Sequence, residues 1–350
     1  MSFLKKQQQL VLVFGSIVLY FLFAYFLERT SFYQLCFLWF TLFGCFYILM
    51  KNNQISFANL VGISIIFRLV FLFAIPNLSQ DFYRFIWDGR MIFEGLNPYL
   101  SLPETFIQQN NYPVAQAKEL YAGMGELNGS HYTNYPPLNQ LCFLIAAFFS
   151  SKSIVGAAIV LRLIIILADI GIIYFGKRLL ERLHLPIKSI FWYILNPFII
   201  IEMTGNLHFE PVMLFFLIFG MYKLHQQKWI LAALLIACSV SVKLIPLLFL
   251  PLFFQWFVKN YKEEGLFEHA GEQAPKIEKA AHSLKGTKHV IDIRNLGVIA
   301  AIELEPRGNA VGARGFEVMK KAWDLGLMVR ANGDTLAFSP PLIVSDAQID

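Results

Sequence analysis

The residues best equipped for chemistry stand together in SQDFYRFIWDGRMIFEGLNPY, residues 79 to 99, where carboxylates, arginines and aromatics crowd beside long apolar runs. On a helix at about 100° per residue, Asp81, Arg84 and Asp88 fall within a narrow arc, and Phe82, Ile86 and Phe93 share another. Arg84 follows Asp81 by three residues and precedes Asp88 by four. That spacing lets one guanidinium hold both carboxylates ionised and aimed. Gly95 then stops the helix, and Asn97-Pro98 makes a turn. The charged face reads as an active-site loop. The blander alternative is an interfacial helix whose charges only pair with one another against lipid headgroups.

Two further groups favour chemistry. A second loop signal, HYTNYPPLNQ, occupies residues 131 to 140. Arg68, Arg162, Asp169, Glu202, Glu210 and Lys243 lie in or beside apolar runs, where an unpaired charge costs at least about 2.5 kcal/mol, so they must face partners or a wet cavity. Arg162 and Asp169 share a helix face, either as a pair or through contacts to neighbouring spans. In NPFIIIEMTGNLHFEP, residues 196 to 211, Gly205-Asn206 breaks an apolar run and gathers Glu202, Asn206, His208 and Glu210 around the break. Broken helices in membranes line cavities. One His and two carboxylates at that spacing form no recognised metal pattern. Lys243, before a Pro-bounded turn, reads either as a snorkelling lysine or as a counter-charge for a phosphate at the membrane interface.

The elements that must position these residues are apolar. Of 350 residues, 57% are hydrophobic and 35 are Phe; mean hydropathy is +0.54. Such values mark a membrane protein. Charge steps sharply along the chain: residues 1 to 258 hold 17 Lys and Arg against 11 Asp and Glu, and the remainder hold 12 against 13. The expected architecture is mainly α: a polytopic transmembrane helix bundle of about seven to nine apolar segments, followed by a small soluble α/β domain. The boundaries read as 1–258 for the membrane part, with the long polar loop 77–137 carrying the site, 259–265 for a junction and 266–350 for the second domain. Candidate segments run over 10–28, 31–50, 55–76, 138–150, 154–176, 189–204, 208–224, 229–245 and 246–257. The apolar run after MSFLKKQQQ lacks a cleavage site and reads as a retained span. Lys5, Lys6 and Lys51 place the N-terminus and the second connector in the cytoplasm, so loop 77–137 lies outside. Lys177, Arg178, Arg182 and Lys188 also read as cytoplasmic, which holds only if residues 138–150 do not cross. Cys36, Cys45, Cys142 and Cys238 lack paired spacing and read as small core residues.

At DFYRFIWDGR, GLNPY, HYTNYPPLNQ, NPFIIIEMTGNLHFE and SVKLIPLL, in that order, the first part resembles bacterial GT-C superfamily glycosyltransferases. A fainter likeness to the GPI mannosyltransferases rests on Tyr83-Arg84, Asp88 and Pro98-Tyr99, with Asp81 alone where that family has D-x-D. The resemblance implies more spans than are found here, so the membrane part reads as truncated. It also implies transfer of a hexose, mannose by the closer likeness, from a polyprenyl-phosphate sugar to a glycan or lipid-linked acceptor hydroxyl, with inversion, in a bacterial inner membrane. On that implication Asp81 is the base, Arg84 its orienter, and Asp88 and Arg90 contribute to sugar or phosphate binding. Lys243 with His208 faces the phosphate, Glu210 belongs to the donor-sugar site, and Tyr135 lines the sugar pocket. No cofactor is firmly implied, and a divalent metal stays open.

The second part resembles the C-terminal small domain of class III pyridoxal-phosphate aminotransferases at DIRNLGVIAAIELEPR, GARGFEVM and MVRANGDTLAFSPPLIV. It implies that Arg330 takes a substrate carboxylate, although a plain surface charge is the reading preferred in this chain. The Schiff-base lysine belongs to a large domain absent here, so pyridoxal phosphate is not expected to bind. Two partial enzymes with no shared chemistry read as a chimera, with an inert aminotransferase fragment or a non-catalytic fusion product as the alternatives to transferase activity. The net charge of +5 comes mainly from membrane-flanking lysines and arginines, and no basic stripe or recognised motif points to nucleic acid.

Overall fold

The computed structural model describes residues 2–52, 54–150, 152–253, 261–262 and 264–349. The chain divides into two compact units, Met1–Leu248 and Phe249–Asp350. Residues 259, 260 and 263 of the expected junction, and 254–257 of the last apolar segment, lie outside the described residues.

Unit one is helical. Its longest apolar runs form α1 (Ser2–Phe26), α2 (Phe32–Lys51) and α8 (Ile154–Arg182). Among the described residues these carry the three stretches long and apolar enough to cross a membrane, and a bent pair, Ile187–Ile194 with Ile199–Gly205 at 62°, makes up to four. The remaining apolar segments are shorter: α3 (Phe57–Leu69), α7 (Pro137–Ser150), α10 (Glu210–His225) and α11 (Trp229–Val242). A helix of 14 residues rises only about 21 Å, against a hydrocarbon core of about 30 Å. Several apolar segments counted in the sequence are therefore too short to be spans by length.

Two of the expected segments stop early for identifiable reasons. Residues 55–76 read as one run, yet α3 ends at Leu69, where neighbours take the carbonyls that a longer helix would use. The Tyr25 hydroxyl donates to the Val70 carbonyl (3.0 Å) and Arg162 to that of Leu72 (2.9 Å). Residues 189–204 also read as one run. The short helix α9 (Phe191–Ile194) ends before Asn196-Pro197, and the Asn196 side chain accepts from the Phe198 N–H at 2.9 Å. Proline removes a donor and disfavours helix at the residue before it. The chain restarts as a π-helical turn, Ile199–Gly205.

The polar excursion folds as α4 (Asp81–Phe93), α5 (Pro103–Gln108) and α6 (Ala117–Gly129). Helix α4 packs on α6 and α7. Phe82, Phe85, Ile86 and Trp87 enter a core shared with α7, α8 and α10, while α1, α2, α3 and the bent pair close around a second. Gly89 permits the α4–α7 approach, since a Cβ there would lie 2.2 Å from the Phe143 carbonyl oxygen. Phe14, Phe37, Phe40 and Phe148 are exposed.

Unit two contains α12 (Leu266–His282), β1 (Val290–Leu296), β2 (Ile299–Leu304), α13 (Ala313–Asp324), β3 (Arg330–Asn332), β4 (Thr335–Phe338) and α14 (Asp346–Ile349). The hairpin turns fall at Gly297 and Gly333, both with positive φ. The sheet order is β1-β2-β4-β3 and every pairing is antiparallel. The expected α/β domain is thus an antiparallel sheet with helices: two tight hairpins join neighbouring strands, so no parallel crossover is needed. Asp334 accepts from the Gly312 and Gly315 N–H groups at 2.7 and 2.9 Å, satisfying donors at the start of α13.

Candidate active site

Helix α4 presents its chemistry from the N-terminus. Ser79 Oγ accepts from the Asp81 N–H at 3.3 Å, and Asp81 Oδ1 accepts from Asn128 Nδ2 at 3.1 Å. Asp81 stays partly exposed. An acidic side chain in the first turn is favoured by the helix dipole.

Arg84 does not hold both carboxylates. Its Nε donates to Asp88 Oδ1 at 2.8 Å, and one terminal nitrogen donates to the carbonyls of Asn128 (2.6 Å) and His131 (2.8 Å). Side chains on a helix lean toward its N-terminus, so Asp88 tilts back onto Arg84. The two loop carbonyls take the end of the guanidinium that was expected at Asp81. Asp88 is fully buried, and Gln140 Nε2 donates to its Oδ2 at 3.0 Å. Burial pushes the Asp88 carboxyl up, opposed by Arg84 and by the Thr133 and Gln140 donors.

Arg90 emerges nine residues after Asp81, on the opposite face of α4. There it is buried and donates to the Ala115 carbonyl (2.6 Å) and to Gln116 Oε1 (3.3 Å). Burial lowers its pKa, with Glu119 opposing. The structure does not bring Arg90 together with Asp81.

Tyr135, from the 131–140 motif, is brought to the site. Its ring meets Phe85 (4.9 Å, 87°) and Phe143 (5.6 Å, 80°) edge to face, and Phe209 packs on both of those rings. Phe209 stands between His208 and Glu210, so this aromatic cluster joins α4 to the broken helix. Burial raises the Tyr135 phenol pKa, and the charges of Asp81, Asp88 and Glu210 push it further, against Arg84. Tyr99 donates to the Tyr135 carbonyl at 2.6 Å and is itself pushed up to about 12 by burial and the Asp88 charge.

At the break, Leu207 is buried with φ 62°. A bulky residue in the left-handed region is strained, and such strain is found at functional sites. Buried Asn206 donates to Glu202 Oε2 at 3.1 Å and accepts from the Leu78 N–H at 3.2 Å, tying the break to the approach of α4. His208 Nδ1 lies 4.0 Å from Glu202 Oε2. Lys243 is not a lone ammonium: it pairs with Glu210. Helices α10 and α11 pack together, which brings the start of one to the end of the other. Asn139 holds that end through the Val242 carbonyl at 3.0 Å.

The buried charges behind the site are anchors. Arg68 pairs with Asp169 at 2.7 Å and also donates to the Ile194 carbonyl at 2.8 Å. Arg162 and Asp169 therefore do not pair; two turns along one helix separate them by about 10 Å. Arg162 instead donates to the carbonyls of Thr204 (2.9 Å), Gly205 (3.0 Å) and Leu72 (2.9 Å), holding the end of the broken element. Among the described residues no three His, Cys, Asp or Glu side chains gather as a metal-ligand set. Asp81, Glu202 and Glu210 each already hold a protein donor. In unit two, Arg330 is exposed at the first residue of β3.

Sequence reasoning missed Asn128, Tyr99, Thr133 and Gln140 as site residues. The last three stand inside motifs that drew attention. Asn128 has no signal beyond being a polar residue in the long loop.

An apolar helical bundle with ionisable side chains gathered beside a broken helix is the class that this fold and site define. Residues 6–259 match the family described as Alpha-(1->6)-mannopyranosyltransferase, N-terminal domain, and the chain belongs to that family. It is 25% identical over 210 residues to Alpha-(1->6)-mannopyranosyltransferase A of Corynebacterium glutamicum, covering 59% of this chain and 40% of that protein. The C-terminal region carries a second likeness: 45% identity over 93 residues to the Omega-aminotransferase of Caulobacter vibrioides, covering 27% of this chain and 21% of that protein. A solved structure titled "Transaminase with L-ala" overlaps 32% of this chain and 25% of its own, at 28% identity and a TM-score of 0.25. The chain thus spans from about a fifth to two-fifths of the curated relatives named here.

Proposed function

We propose that unit one transfers a mannosyl group from a polyprenyl-phosphate mannose to the hydroxyl of a glycan or lipid-linked acceptor, with inversion at the anomeric carbon. Membership of the mannosyltransferase family supports the sugar. The observation that carries the chemistry is Asp81, partly exposed at the start of α4 with its Oδ1 held by the Asn128 amide at 3.1 Å.

In this reading the acceptor oxygen forms a bond to the anomeric carbon as the bond from that carbon to the phosphate oxygen breaks. The acceptor proton passes to Asp81, and polyprenyl phosphate leaves with the bonding pair. General-base catalysis of this kind is worth about 10²- to 10⁴-fold. Tyr135 lines the sugar pocket. Lys243 exchanges Glu210 for the departing phosphate, with His208 beside it, because developing negative charge needs donors in place. Arg84 and Asp88 frame α4. Loop 77–137 works on the extracytoplasmic side, as the lysines and arginines elsewhere argue. No step of this reading passes through a metal.

Labelled-mannose transfer from polyprenyl-phosphate mannose tests the reading. Wild-type chain in membranes is expected to transfer label and Asp81→Asn to lose it. Transfer by Asp81→Asn at the wild-type rate would overturn the assignment. A second reading is favoured by the 45% likeness of the C-terminal region to an aminotransferase: unit two is an aminotransferase fragment. It is inert alone, so added pyridoxal phosphate gives no protein-bound absorbance at about 420 nm. Appearance of that band would overturn its inertness.

A further inference from the structure

We infer that Asn128 is a positioning residue for the base, an inference that rests on the assignment of Asp81 made above. Arg84, expected to orient Asp81 directly, acts on it through the backbone and side chain of Asn128. The guanidinium donates to the Asn128 carbonyl at 2.6 Å and to the His131 carbonyl at 2.8 Å. With its backbone so held, Asn128 turns its amide onto Asp81 Oδ1 at 3.1 Å.

The surrounding chain is shaped to keep the residue there. Helix α6 kinks at Gly125, where φ is 73° and ψ is 166°. A side chain at that position would be strained. Gln80, immediately before Asp81, donates to the Met124 carbonyl at 3.0 Å and so ties the kink to the start of α4. The turn carrying Asn128 is thus attached to α4 at Gln80 and at Arg84, on either side of the carboxylate that it contacts.

The consequence for chemistry is a choice between two oxygens. Asn128 occupies Oδ1, whereas Oδ2 has no hydrogen-bond partner among the described residues. Oδ2 is therefore the oxygen that takes the acceptor proton, and the amide stops the carboxylate from rotating. A hydrogen bond to a charged group that fixes a reacting atom is worth about 10- to 100-fold in rate.

The test is labelled-mannose transfer by the full chain in membranes, comparing Asn128→Ala, Asn128→Ser and Asp81→Asn, with thermal melts of each purified variant. Asn128→Ala is expected to lower kcat about 10- to 100-fold with donor KM and melting temperature unchanged, and Asn128→Ser, which keeps a donor, to recover part of the rate. If Asp81→Asn is inactive and Asn128→Ala has wild-type kcat, this inference falls and the base assignment stands. A loss in Asn128→Ala accompanied by a raised KM and a lowered melt, without recovery in Asn128→Ser, means a structural role only and also overturns it. Wild-type transfer by Asp81→Asn removes the base assignment and the inference with it.

Discussion

Asp81 and Asp88 sit two turns apart on one helix face, yet the structure gives them opposite situations. Asp81 is partly exposed with one amide donor, whereas Asp88 is wholly buried against Arg84. Asp81→Asn should therefore abolish transfer, by about 10²- to 10⁴-fold, while leaving the melt within about 0.5 kcal/mol of wild type. Asp88→Asn should act on the fold instead. Removing one partner of a buried pair costs about 3–5 kcal/mol, so a large drop in melting temperature in detergent is expected. Equal melts for the two variants would contradict this division. Lys243 and Glu210 form a second contrast. If Lys243 moves to the departing phosphate, Lys243→Met lowers kcat, while Glu210→Gln, which frees the lysine, costs less; the reverse order in a transfer assay would count against that exchange. The local pair Arg84–Asp88 was legible from spacing, because helix geometry alone brings residues four apart together. Asn128 was not, since nothing local marks a residue 47 positions from its partner.

At the scale of elements, two features place α4 and the broken helix. Gly89 lets α4 lie against α7, and Gly89→Ala would put a Cβ 2.2 Å from the Phe143 carbonyl oxygen and 2.5 Å from its carbon. Backbone must move to relieve that overlap, at about 1–3 kcal/mol. Loss of both thermal stability and transfer is expected, and an unchanged melt would refute the close approach. Arg162 supplies donors to three carbonyls around the break. Arg162→Leu leaves them unpaired, each at about 1–3 kcal/mol, and should yield protein that aggregates on detergent extraction. Arg162→Lys offers a point charge in place of the planar fork and should rescue only partly. The hydropathy pattern located these elements well. It missed the bend at Asn196-Pro197 because strongly apolar runs flank it on both sides, although the Asn-Pro pair was a visible signal.

For the whole molecule, the charge step and the two family likenesses meet in the same region of the chain. Polar groups of the proposed transferase site all belong to unit one. Deleting residues 266–350 is therefore expected to leave mannose transfer in membranes within about twofold of the full chain. A loss beyond tenfold would make unit two a working part of the enzyme. Unit two has its own sheet and two small apolar clusters, with Ile302, Leu304, Val329 and Leu336 forming one of them. Its strand pairs and turns were legible because alternation and the Asn332-Gly333 turn are local signals. The strand order β1-β2-β4-β3 was not, because it depends on the two hairpins pairing through β2 and β4.

What the sequence determined by itself was therefore local or compositional: the apolar helices, the charge step near residue 260, the amphipathic face of α4, and the break beside Glu202 and His208. Each follows from periodicity, from proline and glycine geometry, or from the cost of charge in an apolar run. Only the tertiary structure decided which charge meets which. Arg68 takes Asp169 across 101 positions, Leu78 meets Asn206 across 128, and Arg162 spends its donors on carbonyls rather than on a carboxylate. A buried polar group must be satisfied, but the rule does not name its partner. The partner is set by which helices pack together.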